Sequence, residues 1–127
     1  MYEISVTRVF AAAHAIRLPD GSLEPVHGHN WSVLVTVGAS QLDGIETVMD
    51  FHDLEKSLDA TLAKANNRHL NDIAPFAGPN GGLAVNPTAE RVAWWIAREV
   101  APSLPREVTL LSVAVGEAPG CTGTWRP

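Results

Sequence analysis

The chain has 127 residues and a mass of 13.6 kDa, enough for one hydrophobic core of ordinary size and too short for a second. Apolar residues make up 46% and charged residues 18%, which excludes a disordered tail protein. The formal net charge is −5 and the nine Lys and Arg are scattered, so neither nucleic acid nor an anionic membrane is an expected partner. No apolar run approaches the ~18 residues of a bilayer span. The opening Met-Tyr-Glu-Ile alternates at once and lacks a signal-peptide pattern. A single cysteine, Cys121, has no partner for an internal disulfide and is read as a packing residue. Both features suit a reducing cytoplasm.

Tyr2, Ile4 and Val6 alternate with Glu3, Ser5 and Thr7, which predicts a half-buried strand. Phe10 to His14 departs from that alternation, so a bulge or a strand end is expected there. Pro19-Asp20-Gly21-Ser22 is a turn signal. A second strand carries Trp31, Val33, Val35 and Val37 on one face, and residues 38–44 form a loop. The period then changes. Phe51, Leu54, Leu58, Leu62 and Ala65 recur at three- and four-residue steps, an apolar helical stripe with Asp50 at its cap. Residues 75–87 are rich in Gly and Pro and read as a loop. Thr88 caps a second helix whose stripe is Ala89, Val92, Ile96 and Val100, with Glu90 in the positive first turn. Pro102 and Pro105 end it. A third strand places Thr109, Leu111, Val113 and Val115 on one face, and a short fourth strand runs from Thr122 to Trp125.

The order β-β-α-α-β-β predicts an α+β fold over residues 1–127: an antiparallel four-stranded sheet with both helices on one face. Such a sheet has two open edges, so an oligomer is expected.

His27-Gly28-His29 precedes the second strand, and both histidines share the parity of Trp31 and Val33. His14 ends the first strand, which can pair beside the second. Histidines at neighbouring strand ends match a catalytic zinc site with one open position. They match equally well a set of separate structural histidines, and the residues alone leave both readings open. His52 is expected at the surface and His69 in a turn. Glu117 continues the parity of Val113 and Val115. It either meets a ligand with adjacent N–H donors or marks where the strand reaches solvent. Glu24, three residues before His27, is either a proton acceptor beside a metal or a solvated loop residue. Glu90 is most simply a helix-dipole partner.

Taken in order, Phe10-Ala-Ala-Ala-His14, His27-Gly-His-Asn30, Met49-Asp-Phe51 with Leu54, Leu70-Asn71, Asn86-Pro-Thr-Ala-Glu90 and Val115-Gly-Glu117 resemble the 6-pyruvoyltetrahydropterin synthase family. Within it, the bacterial 6-carboxytetrahydropterin synthases of queuosine biosynthesis look nearest. The resemblance covers nearly the whole chain. It implies the tunnelling fold, in which trimers close a twelve-stranded barrel and two trimers stack into a homohexamer. It also implies a lyase that converts 7,8-dihydroneopterin triphosphate to a tetrahydropterin, with Zn2+ polarising the side-chain oxygens. The carboxytetrahydropterin branch in addition breaks a side-chain carbon–carbon bond. Carried over by motif, the zinc histidines fall on His14, His27 and His29, the pterin-anchoring glutamate on Glu117, and the Thr-x-Glu segment on Thr88 and Glu90.

The departures from the family pattern concern proton transfer. The usual cysteine, four residues before the first histidine of His-Gly-His, is Leu23, and the usual Asp-His pair falls on Asn66 and Asn67. None of these side chains exchanges a proton near neutral pH. Glu24 resembles a variant within the family that has a glutamate in place of the cysteine, and it becomes the candidate base. Two functions follow: a zinc-dependent pterin lyase with reduced or altered activity, or a zinc- and pterin-binding hexamer that has lost or changed its chemistry.

Overall fold

The computed structural model describes all residues from Met1 to Pro127. Its frame is a long antiparallel pair, β1 (Tyr2–His14) and β2 (His27–Ala39), in unbroken register from Tyr2 opposite Ala39 to His14 opposite His27. The break expected between Phe10 and His14 does not occur. Phe10, Ala12 and His14 are buried on the inner face, while Ala11 and Ala13 take the outer one. Alanine is apolar yet small enough for either face, so it hides the period-two signal without interrupting the strand.

Next along the chain come α1 (Phe51–Leu62), β3 (Arg68–His69), α2 (Ala89–Val100), β4 (Thr109–Ala118) and β5 (Cys121–Trp125). The sheet order is β3-β1-β2-β4-β5. It therefore has five strands rather than four. It is mixed rather than purely antiparallel, because β3 pairs with Ala12 and Ala13 of β1 in parallel. A strand of two residues has no period for a sequence reading to detect.

Both helices start where their capping residues predict. The Asp50 carboxylate accepts from the His52 N–H at 2.8 Å, and the Thr88 hydroxyl accepts from the Arg91 N–H at 3.2 Å. Leu54, Leu58 and Leu62 of α1 and Val92, Ile96 and Val100 of α2 bury against Trp31, Val33, Val35 and Val37 of β2 in one continuous core. Phe51, expected in the first stripe, stays half exposed at the helix start. Arg8, also on the helix face of β1, ties that strand to α1 through Glu55 at 2.6 Å and Asp59 at 2.7 Å.

One strand reads differently in three dimensions. Between Thr36 and Val37 the β2–β4 register shifts by a bulge, so Val37 meets Leu110. Leu110 is therefore buried in the core and Leu111 is not, against the expected stripe through Leu111. Cys121 is exposed at the start of β5 and does not pack.

The chain leaving β1 is held by side-chain amides that imitate a neighbouring strand. Asn71 bonds both the N–H and the carbonyl of Ala15, at 2.9 and 2.8 Å. Asn86 does the same for Arg17, at 2.8 and 3.0 Å. These two clamps fix the segment between His14 and His27 next to the start of α2.

The bulge can be tested by truncation. Leu110→Ala is expected to cost ~2–5 kcal/mol, the range for a core leucine. Leu111→Ala is expected to cost about 1 kcal/mol or less. Urea denaturation of the two variants checks the difference, and equal losses would contradict the observed register.

Candidate metal centre

His14, His27 and His29 project from the paired ends of β1 and β2 on the helix-facing side, and His14 is completely buried. Backbone carbonyls set the state of two of the rings. The Pro87 carbonyl lies 2.8 Å from His14 Nδ1, and the Pro25 carbonyl 2.8 Å from His27 Nδ1. A carbonyl can only accept, so each Nδ1 carries a proton and each neutral ring presents a lone pair at Nε2. Those two Nε2 atoms face each other at 3.0 Å.

Glu117, at the end of β4, completes the group. Its Oε1 lies 2.9 Å from His14 Nε2 and 3.2 Å from His29 Nε2. Neither contact is aligned as a hydrogen bond, and His29 Nε2 is buried without a hydrogen-bond partner. The four ligand atoms all lie within 4.8 Å of one another. Electron-rich atoms gathered this closely repel unless a positive charge lies among them. An added proton suits the site poorly, because burial pushes the His14 pKa down. A metal cation fits it: imidazole nitrogens and a carboxylate are metal donors, and Nδ1–H bonds to carbonyls are the outer contacts that orient such histidines.

Other expected site residues lie around this centre. Glu24 Oε1 accepts from the Ile16 N–H at 3.1 Å and lies 3.7 Å from His27 Nε2, at the edge of the cluster. Thr88 caps α2 and Glu90 is exposed in its first turn; neither joins the metal-ligating group. Their segment is linked to the centre through the Pro87 carbonyl. His52 is at the surface, as expected. Leu23 is exposed.

Asn66 and Asn67 have backbone work instead. The Asn66 side-chain oxygen accepts from the Ala11 N–H at 3.0 Å, and the Asn67 N–H donates to the Ala11 carbonyl at 2.6 Å. Asn67 has φ 59°, in the left-handed region that Asn enters more readily than most residues. The sequence reading missed the Pro25 and Pro87 carbonyls. Every residue carries a carbonyl, so no side-chain signal could have found them.

The family model described as 6-pyruvoyl tetrahydropterin synthase matches residues 3–127. The chain belongs to this family. Among curated members, a dihydroneopterin monophosphate aldolase of Pyrococcus furiosus is 33% identical over 108 residues, covering 85% of this chain and 82% of the relative. The 6-pyruvoyl tetrahydropterin synthase of Caenorhabditis elegans superposes with a TM-score of 0.77 at 23% identity, covering 100% of this chain and 97% of that one. The Plasmodium vivax synthase superposes with a TM-score of 0.79 at 18% identity, covering 99% and 97%. Variants of the Plasmodium vivax enzyme altered at a glutamate described as catalytic have the same fold. The α+β tunnelling fold of the family is thus the fold of this chain, with the short β3 added to the expected strands.

The buried histidine carries a pH dependence with a defined sign. Unfolded His14 takes a proton near its ordinary value of 6.5, whereas folded His14 resists protonation to lower pH. Stability of the metal-free protein should therefore fall as pH drops below about 6.5 and level off once folded His14 is also protonated. Denaturation midpoints of metal-free protein between about pH 7.5 and pH 5 check this. A midpoint rising toward acid would contradict it.

Proposed function

We propose that this protein is a zinc-dependent pterin lyase that cleaves the side chain of a phosphorylated 7,8-dihydroneopterin. One observation carries the reading: three imidazoles and a carboxylate converge at the strand ends with a second carboxylate, Glu24, beside them. His14, His27 and His29 would hold the ion. Zinc suits three histidine nitrogens with a further position for substrate. When bound, it supplies Lewis-acid polarisation of the side-chain oxygens.

The chain's own residues divide the remaining work. Glu24, braced by the Ile16 N–H, would accept a hydroxyl proton from the substrate side chain. Glu117 would turn from the histidines to accept two parallel hydrogen bonds from the aminopyrimidine edge of the pterin. Thr88 and Glu90, at the start of α2, remain candidates for substrate contact through the segment whose Pro87 carbonyl orients His14.

The aldolase relative favours carbon–carbon cleavage of a dihydroneopterin monophosphate over loss of triphosphate or the carboxytetrahydropterin reaction of queuosine synthesis. Such a cleavage begins with removal of one hydroxyl proton, a task within reach of a single carboxylate. That suits a chain with Leu23, Asn66 and Asn67 at the family's usual proton-handling positions. The glutamate described as catalytic in the Plasmodium vivax synthase supports Glu24 in the same capacity. A homohexamer, a dimer of trimers, is the expected assembly. Val9 and Leu34 are exposed on the outer sheet face, and only the two residues of β3 cover the long edge of β1.

Purified protein should contain about one zinc per subunit, and His29→Ala should lose most of it; equal zinc in both would refute the ligand set. With zinc loaded, dihydroneopterin monophosphate should turn over and the triphosphate only weakly. Glu24→Gln should abolish product while zinc stays bound. Glu117→Ala should keep zinc yet weaken pterin binding by ~1.5–3 kcal/mol, the range for a hydrogen bond to a charged group. Pterin binding with no product from either substrate would identify a binding protein instead of a lyase.

A further inference from the structure

Glu117 has two claims on its carboxylate. Its Oε1 stands 2.9 Å from His14 Nε2 and 3.2 Å from His29 Nε2, while His14 Nε2 and His27 Nε2 are 3.0 Å apart. Donors placed tetrahedrally at ~2.0–2.2 Å from one zinc ion are roughly 3.3 Å from each other. The carboxylate oxygen therefore stands where a fourth ligand would, alongside the three imidazoles. Hydrogen bonding does not account for this placement. Neither histidine contact of Glu117 is aligned for it, and His29 Nε2 has no hydrogen-bond partner. Glu24 is not equivalent. Its Oε1 is 3.7 Å from one histidine nitrogen and already accepts from the Ile16 N–H.

The strand leaves Glu117 free to move. The register of β4 with β2 ends at Gly116, opposite Ser32. The register of β4 with β5 shifts between Gly116, opposite Thr122, and Ala118, opposite Cys121. Glu117 is the residue in between and has no registered partner on either neighbouring strand. An extra residue of this kind interrupts the ladder and re-aims its side chain. The Glu117 side chain is 28% exposed, whereas His14 beside it is fully buried. The carboxylate thus reaches the centre from its open side and has solvent to turn into.

We propose that Glu117 is a switching ligand: without a pterin its carboxylate takes the fourth position of the metal held by His14, His27 and His29, and a seated pterin draws it away. This gate rests on the lyase reading and adds to it a control on when the metal is open. The two roles exclude each other. Two parallel hydrogen bonds from an aminopyrimidine edge occupy both carboxylate oxygens, and neither is then left for the metal. The metal becomes available to the side-chain oxygens of the substrate only after the ring has been recognised. A phosphorylated sugar or polyol carries similar hydroxyl groups but no aminopyrimidine edge. It does not release Glu117, and the centre stays closed to it.

The test needs no turnover. Its probe is 6-methylpterin, which has the aminopyrimidine edge but no side-chain oxygen for a metal to hold. The zinc-loaded full chain should bind it about 5–150-fold more weakly than the metal-free chain, the usual span for coupled sites. Saturating 6-methylpterin should weaken zinc binding by the same factor, because coupling is reciprocal. Titration calorimetry reads both. Glu117→Ala should still take up zinc on the three histidines, with an affinity lower by about that factor and indifferent to 6-methylpterin. Glu117→Gln, which keeps the size without the charge, should behave likewise and serves if the alanine variant does not fold. With cobalt in place of zinc, the visible absorption of the wild type should shift when 6-methylpterin binds, and that of the variants should not. Equal pterin affinity with and without zinc, or wild-type zinc affinity in the variants, would overturn the switch and leave the lyase reading standing. A metal-free chain that does not bind 6-methylpterin would remove that reading and the switch together.

Discussion

The facing lone pairs of His14 and His27 are the constraint on which the rest of the site depends. Neither ring could hold that orientation alone. Each is turned by a backbone carbonyl on its far side, from Pro25 in one case and Pro87 in the other, and the two Nε2 atoms are left 3.0 Å apart. Pro87 directly precedes the Thr88 cap of α2, so the start of a helix, the end of one strand and the beginning of another meet at one pair of nitrogens. The continuous register of β1 on β2 then brings His29 to the same face, and β4 delivers Glu117. A buried group of acceptors is unfavourable until a cation joins it, so here the fold holds a local electrostatic cost that binding would relieve.

Much of the surrounding structure serves to keep that cluster still. Asn71 and Asn86 replace the missing strand neighbours of Ala15 and Arg17, and Trp31 donates its indole N–H to the Ala12 carbonyl at 3.1 Å beneath the histidines. Asn66 and Asn67 belong to the same scheme at the β1 edge, where they satisfy the Ala11 backbone. Positions that the family resemblance associates with proton transfer therefore carry backbone hydrogen bonds in this chain. The further ionisable group that borders the centre is Glu24, 3.7 Å from His27 Nε2.

Sequence alone determined the helices and most of the sheet, because those elements are written in side-chain periodicity and capping. Asp50 and Thr88 begin helices where their side chains satisfy free N–H groups, and the alternation of Trp31 to Val37 marks the inner face of β2. The His-x-His spacing and the parity of Glu117 were legible for the same reason, since residues two apart on a strand share a face. What tertiary structure decided was everything carried by backbone or by register. Three alanines concealed the continuation of β1, a bulge exchanged Leu110 for Leu111, and the two residues of β3 were too few to show a period. The Pro87 carbonyl that orients His14 reaches it only when segments distant in sequence are folded together. A side-chain pattern reports which face a residue takes; it does not report which backbone atom or distant loop will be waiting there.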